Sequence, residues 1–154
     1  MSRAIASVSA TLVVAVGTLR LGAQQPATPP PQPAAPAAEA PMRFAIANEV
    51  MLVRQGHYRA YEFSVSIPSP CTVRGQIMGL AGGNKDFQAL IMDRDGFQRW
   101  KANQRTQVYW VSGQVATADL AVRLSGPITY YLVISNLFSR FTKKTIKVEA
   151  YTEC

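Results

Sequence analysis

The chain has 154 residues, of which 48% are hydrophobic, and it carries a formal net charge of +7. This length predicts one domain with accessory segments, and the apolar content excludes a chain that is disordered throughout. Sixteen lysines and arginines against nine acidic residues are a modest basic excess. This excess weakly favours acidic surfaces and does not indicate a nucleic-acid partner.

Residues 1–23 have the pattern of an export signal. Arg3 supplies a positive start, an apolar run of 16 residues extends from Ala4 to Leu19, and small residues precede a cleavage site near Ala23. The run is shorter than the roughly 20 residues that a membrane-spanning helix needs. We therefore predict a secreted or periplasmic protein that contacts a membrane only if this segment stays uncleaved. An uncleaved anchor is the alternative, because Arg20 follows the apolar run where a charge is unusual.

Residues 24–41 form a linker of different composition. Seven of the 16 residues from Pro26 to Pro41 are proline, and most of the others are alanine. Proline removes backbone donors and fixes φ, so the segment cannot pack as helix or sheet. We predict a disordered, extended spacer of about 3 Å per residue, with a ligand for a proline-binding domain as the alternative.

Residues 42–154 are predicted to fold as one domain, because apolar residues alternate in short runs bounded by turn residues. The predicted strands are 48–53, 58–67, 71–78, 87–93, 108–111, 115–124 and a final pair within 128–151. Residues 97–105 could be a strand or a short helix. About seven to nine strands predict an all-β, jelly-roll-like antiparallel sandwich, in which we expect strands joined by short turns to pair.

The final pair shows the clearest period of two, with one face of each strand apolar. These faces consist of Ile128, Tyr130, Leu132 and Ile134 in the first strand, and Ile146, Val148 and Ala150 in the second.

Five short motifs occur in an order that resembles the GOLD (Golgi dynamics) domain of eukaryotic cargo receptors. They are Cys71–Gly75, Gly82–Phe87, Ile91–Asp93, Tyr130–Ser139 and Lys144–Val148. The resemblance covers about Glu49 to Tyr151 and implies a compact antiparallel β-sandwich that binds proteins and is not a catalyst. No coiled coil or transmembrane helix follows the domain, so the receptor role is not carried over. The chain is similar, more loosely, to the non-catalytic prepeptidase C-terminal domain of secreted bacterial enzymes.

The two cysteines, Cys71 and Cys154, are predicted to form a disulfide. An even number of cysteines in an exported chain favours a bond. It would close a loop of about 84 residues and contribute roughly 4 kcal/mol. Two buried thiols are the alternative.

No catalytic or metal-binding motif is present, so we expect neither enzymatic activity nor a cofactor. His57, the only histidine, is predicted to lie in the turn 54–57 without a catalytic partner. Asp93 to Gly96 resembles the start of a calcium loop, but Phe97 occupies the next ligand position and a turn is the favoured interpretation. An enzyme would require carboxylates from among Asp93, Asp95, Glu62 or Glu149 to converge in a pocket, since a glycosidase needs two of them about 5 to 10 Å apart.

Five residues form the possible binding surface: Trp100, Trp110, Arg140, Lys143 and Lys144. Exposed tryptophans could stack on sugars or anchor a protein, although core packing is the default for both. Tyr109 and Trp110 are adjacent on a strand, so they should face opposite ways.

The basic residues form two groups in the sequence. One comprises Arg94, Arg99, Lys101 and Arg105, and the other Arg140, Lys143, Lys144 and Lys147. They could contact anionic polymer or lipid headgroups at an envelope. A solvated rim that protects strand edges is the favoured interpretation.

The sequence thus predicts an exported, non-catalytic β-sandwich that binds an unknown protein or glycan partner. A membrane-anchored structural component of the envelope and a carbohydrate-binding module are the alternatives. Neither a metal nor another cofactor is expected.

Overall fold

The structure is a computed structural model that describes residues 40–65 and 70–154. The predicted signal segment 1–23 and nearly all of the linker 24–41 lie outside the described residues, as does the end of the predicted strand 58–67. The described residues form eight strands and one helix. They are β1 (Arg43–Val53), β2 (Tyr58–Val65), β3 (Cys71–Ala81), β4 (Phe87–Asp93), α1 (Arg94–Lys101), β5 (Trp110–Val115), β6 (Thr117–Leu124), β7 (Ile128–Ser135) and β8 (Lys144–Glu153).

The strands form two four-stranded sheets. Sheet A has the order β1-β8-β3-β6 and sheet B the order β2-β7-β4-β5. Every pairing is antiparallel, and this order is that of a jelly roll, in which two Greek keys interleave. The predicted antiparallel β-sandwich is therefore confirmed.

The expectation that strands adjacent in the chain pair with each other was wrong in most cases. Among the described strands, only β4 and β5 are both consecutive and paired. β7 pairs with β2 and β4, whereas β8 pairs with β1 and β3. The loop 136–143 is long enough to cross the gap of about 10 Å between packed sheets. An apolar face buries equally well in either sheet, so alternation alone could not assign the partners.

The inner faces of the two sheets form one hydrophobic core. Burial alternates along β6 and β8 as a sheet with one buried face requires. The predicted inward residues are buried except Ile128, which is exposed at the start of β7. Burial of each large aliphatic side chain contributes about 1.5–3 kcal/mol, so this interface dominates the stability of the sandwich.

Helix α1 begins at Arg94, within the segment Asp93 to Gly96 for which a turn was predicted. Residues 97–105 were predicted as a strand or a short helix, and residues 97–101 belong to this helix. The Asp93 carboxylate accepts a hydrogen bond from the Gly96 amide at 2.7 Å, which satisfies a free donor of the first helical turn. Phe97 packs with Leu90, Met92 and Val133 on the outer face of sheet B. The helix therefore buries the outer side of β4 and β7, which explains why both strands are apolar on both faces.

Gly75 allows β3 and β8 to approach closely in the middle of sheet A. Its φ is +143°, and a Cβ atom there would lie 1.9 Å from the carbonyl oxygen of Glu149. Only glycine fits this position, so the pairing of β3 with β8 depends on it.

The predicted disulfide is present. Cys71 begins β3 and Cys154 follows β8, and their sulfur atoms are bonded at 2.10 Å. Because β3 and β8 are neighbours, the bond joins two adjacent strands at one end of sheet A.

Reduction of this disulfide should lower the free energy of unfolding by about 4 kcal/mol, because the bond restricts the unfolded chain. β8 keeps its pairing on both sides, so the fold should persist with a lower urea midpoint. Urea titration followed by circular dichroism, with and without reductant, measures the change. Cys71→Ala/Cys154→Ala is the control, because reductant should leave its midpoint unchanged. Equal midpoints for the reduced and oxidised wild type would contradict the prediction.

Candidate functional site

Three of the connections at one end of the sandwich form a surface that we call the basic end. They are the β1–β2 turn (54–57), the β3–β4 loop (82–86) and the β7–β8 loop (136–143). The register pairs Val53 with Lys144 and Tyr58 with Ser135, so these strand ends lie side by side. The disulfide lies at the opposite end.

Asn136 joins the β7–β8 loop to the β1–β2 turn. It is fully buried, and its amide nitrogen Nδ2 donates to the carbonyl oxygens of Thr142 at 2.9 Å and of Val53 and Arg54 at 3.3 Å. Its backbone N–H donates to the carbonyl of His57 at 2.9 Å. This residue was not predicted as a site residue, although a polar side chain directly after an apolar strand is a signal for such a bridging role.

His57 lies in an exposed turn, as predicted. Its Nδ1 is 2.9 Å from the carbonyl oxygen of Gln55, and its backbone N–H donates to Arg54. These contacts are local to the turn, so His57 shapes the connection.

Lys144 was predicted as part of the possible binding surface, but the structure buries it. It is 2% exposed, and its Nζ contacts a carboxylate oxygen of Asp86 and donates to Asn84 Oδ1 at 3.0 Å. The register opposite Val53 turns the side chain inward, where a charge needs a partner. Lys144 therefore holds the β3–β4 loop against β8.

The environment of Asp86 sets the charge state of this pair. Burial alone would raise the pKa of the Asp86 carboxyl, but hydrogen bonds from Lys144 and Asn84 outweigh it and hold the pKa below its usual range. Asp86 is thus ionised at neutral pH and neutralises Lys144.

Gly82 brings the β3–β4 loop against the β7–β8 loop. Its φ is +104°, and a Cβ atom would lie 2.1 Å from the carbonyl oxygen of Lys143. A larger residue would push the two loops apart, so Gly82 fixes their spacing.

The β7–β8 loop presents an apolar tip between cations. Ser139 Oγ donates to the carbonyl of Thr142 at 2.9 Å and accepts from its N–H at 3.2 Å, which closes a turn around Arg140 and Phe141. Phe141 is 89% exposed and Leu137 is 47% exposed. The turn therefore holds a phenyl ring in solvent.

The basic end carries four exposed cations: Arg54, Lys85, Arg140 and Lys143. Among residues 40–65 and 70–154, none of the four forms an ion pair with a carboxylate. Asp86 is the only acidic residue within the three connections, and Lys144 neutralises it. Like charges gathered on one surface sum to a positive potential that attracts anions. A recess of about 290 Å³ beside the β1–β2 turn is lined by Arg54 and His57 among others.

The two tryptophans lie on opposite sides of sheet B. Trp100 packs on the outer face, with its ring 4.9 Å from that of Tyr58 beside the β1–β2 turn. Trp110 begins β5 at the other end and packs against the inner core, while Tyr109 is exposed, as their alternation predicted. The five predicted binding residues therefore do not form one surface. Arg140 and Lys143 lie together on the basic end, and Trp100 borders it.

The four carboxylates considered for catalysis are not all gathered in one place, although Asp93 and Asp95 are neighbours. Asp93 caps α1 and accepts from Tyr109, and Asp95 lies beside it around a recess of about 260 Å³. Glu62 accepts from Tyr131 at 2.6 Å. Glu149 belongs to sheet A, where it pairs with Lys147 at 2.6 Å.

The described part of the chain, 40–65 and 70–154, contains no group of three or more His, Cys, Asp or Glu side chains arranged to hold a metal ion. Within the same residues, no helix has the length and hydropathy to cross a bilayer.

Lys144→Met should lower the free energy of unfolding at neutral pH by about 3 kcal/mol, because it leaves the Asp86 carboxylate buried without its cation. The double variant Lys144→Met/Asp86→Asn should recover most of this loss. Urea titrations of the wild type, the two single variants Lys144→Met and Asp86→Asn, and the double variant form a double-mutant cycle that measures the coupling between the two residues.

The loss should also depend on pH. The folded pKa of Asp86 is lowered, so the stability that the pair contributes is present above the unfolded pKa of about 4 and is lost as pH falls through the folded value. The difference between wild type and Lys144→Met should therefore shrink on acidification. A constant difference, or no difference at neutral pH, would contradict the role given to the pair.

No protein-family model matches the chain, and no curated protein sequence matches it. The resemblances to GOLD and prepeptidase C-terminal domains therefore stay predictions.

Proposed function

We propose that the protein is an exported, non-catalytic binding module that contacts an anionic partner outside the cytoplasm through its basic end. The observation that carries the proposal is the set of four exposed cations that form no ion pair with a carboxylate among the residues the structure describes. They lie on three loops held together by Asn136 and Gly82. A positively charged surface on hydrogen-bonded loops suits a partner of opposite charge, because the loop backbone needs little ordering at the moment of contact.

The Cys71–Cys154 disulfide supports a location outside the cytoplasm. Such bonds persist in oxidising environments and are rare in the cytosol of most organisms. The export pattern in residues 1–23 and the resemblance to protein-binding GOLD domains point in the same direction.

The alternatives draw on different features. A carbohydrate-binding module would use its tryptophans as stacking platforms, but Trp100 meets Tyr58 edge to face and Trp110 packs against the inner core. This arrangement favours packing over sugar binding. A membrane-anchored structural component requires that residues 1–23 remain attached.

Chromatography on a column that carries heparin, an anionic polysaccharide without an apolar layer, tests the role of the basic end. The wild type should be retained, and Arg140→Ser/Lys143→Ser should elute at clearly lower salt because two of the four cations are removed. Arg99→Ser/Arg123→Ser removes the same charge from exposed positions outside the three loops, because Arg99 lines a recess with Asp93 and Asp95 and Arg123 pairs in register with Thr72. This control should elute close to the wild type. Equal shifts for both double variants would show that only net charge matters and would overturn the assigned surface.

N-terminal sequencing of the protein recovered from each fraction of an exporting host tests whether the protein is exported and whether residues 1–23 are cleaved. A terminus near Gln24 in a fraction outside the cytoplasm is expected. An intact terminus in the membrane fraction would favour the anchored structural component, and recovery from the cytoplasm would contradict export.

A further inference from the structure

We infer that the partner of the basic end is a lipid bilayer with anionic headgroups, into whose interface the tip of the β7–β8 loop inserts. This inference rests on the proposed function, replaces the expectation that only an uncleaved N-terminal segment would contact a membrane, and adds a role for Phe141 and Leu137, which charge attraction leaves unexplained. In this arrangement Phe141 enters the boundary between headgroups and acyl chains. Arg140 and Lys143 then lie at the level of the phosphates.

The exposure of Phe141 is the first argument. It has the largest exposed fraction, 89%, of the large hydrophobic residues that the structure describes as exposed. Single exposed hydrophobic residues are ordinary, but Phe141 stands at a loop tip with Leu137 in the same loop and cations on either side. A soluble anionic polymer would gain nothing from the phenyl ring. A bilayer interface offers an apolar layer directly beneath its charges.

The rigidity of the tip is the second argument. Ser139 Oγ bonds both the N–H and the carbonyl of Thr142, and Asn136 Nδ2 donates to the same carbonyl. Three hydrogen bonds thus fix the turn that carries Arg140 and Phe141. Insertion therefore loses little conformational entropy, as expected of a preorganised contact.

The distribution of charge is the third argument. Arg54 and Lys85 lie on the neighbouring connections, and the carboxylate of Asp86 is neutralised by Lys144. At the opposite end Glu153 forms ion pairs with Arg43 and Arg74. Asp93 and Asp95 share recesses with Arg94 and Arg99, so the cations there lie beside carboxylates. An anionic surface therefore attracts the basic end first.

The two kinds of contact reinforce each other. A few cations or one apolar side chain alone bind a bilayer weakly, and stable association takes two signals together. The loop supplies both within six residues, from Leu137 to Thr142, together with the adjacent Lys143. We therefore expect binding that requires both the anionic lipid and the phenyl ring.

Co-sedimentation with vesicles measures this directly. The probes are vesicles of phosphatidylcholine with phosphatidylglycerol, and vesicles of phosphatidylcholine alone. The protein is the chain as an exporting host yields it, so every variant shares one N-terminus. The wild type should bind the anionic vesicles and bind the zwitterionic vesicles much more weakly.

The variants separate the two contributions. Phe141→Ser should weaken partitioning to anionic vesicles about tenfold, and each charge removed in Arg140→Ser/Lys143→Ser should weaken it about fivefold. Phe44→Ser changes the other exposed phenylalanine, which is 54% exposed at the opposite end, and should bind as the wild type does. Arg99→Ser/Arg123→Ser is the matched charge control.

Circular dichroism identifies any variant that has not folded. Phe141→Trp provides a second variant at the tip, and its fluorescence emission should shift to shorter wavelength on anionic vesicles.

The heparin experiment distinguishes failure of this inference from failure of the proposed function. One outcome is that heparin binding depends on Arg140 and Lys143, while vesicle binding is absent or unaffected by Phe141→Ser. This outcome would overturn the inference that the loop inserts into a bilayer and leave an anionic polymer as the partner. Failure to bind either probe would overturn both proposals. Vesicle binding lost in Phe141→Ser, with heparin binding retained, would support the bilayer.

Discussion

The central position of β8 is the constraint on which the rest of the structure depends. It lies between β1 and β3 in sheet A, and its inward side chains fill the middle of the core. Each end of the strand is held by a contact in addition to the backbone hydrogen bonds of the sheet. Cys154 is bonded to Cys71 at one end, and Lys144 is paired with Asp86 at the other. Displacement of β8 would separate β1 from β3 and open the core, so both contacts stabilise the whole sandwich.

The proposed site follows from how β8 is reached. The chain leaves sheet B at Ser135 and enters sheet A at Lys144, so the loop between them must cross one end of the sandwich. Asn136 secures the start of this crossing to the β1–β2 turn, and Gly82 allows the β3–β4 loop to lie against its end. The exposed tip is thus supported on both sides by a rigid frame, as a preorganised binding surface requires.

Several features were predictable because they depend on local chemistry. Alternation of apolar side chains predicted the inner faces of β6 and β8, and two cysteines in a chain with an expected export signal predicted the disulfide. Arg140 and Lys143 were predicted as exposed cations because they lie between two strands.

Other features depend on contacts between distant segments, and the sequence could not predict them. The inward direction of Lys144 follows from its register with Val53, and its neutralisation from an aspartate 58 residues earlier. The turn expected at Asp93 became a helix because Phe97 finds an apolar surface on sheet B that is complete only after folding. Phe141 was not selected, because its exposure is visible only once the turn is closed by Ser139 and Thr142.

Hydrogen exchange of backbone amides, with and without anionic vesicles, tests both the central role of β8 and the binding of the basic end to an anionic surface. Without vesicles, the amides of β8 should be among the slowest to exchange, because the strand is paired on both sides. With vesicles, further slowing should be confined to the β7–β8 loop and the neighbouring connections 54–57 and 82–86. Slowing at the opposite end around Arg43 and Asp93, or no change on adding vesicles, would contradict the claim that a frame built on β8 presents the basic end to an anionic surface.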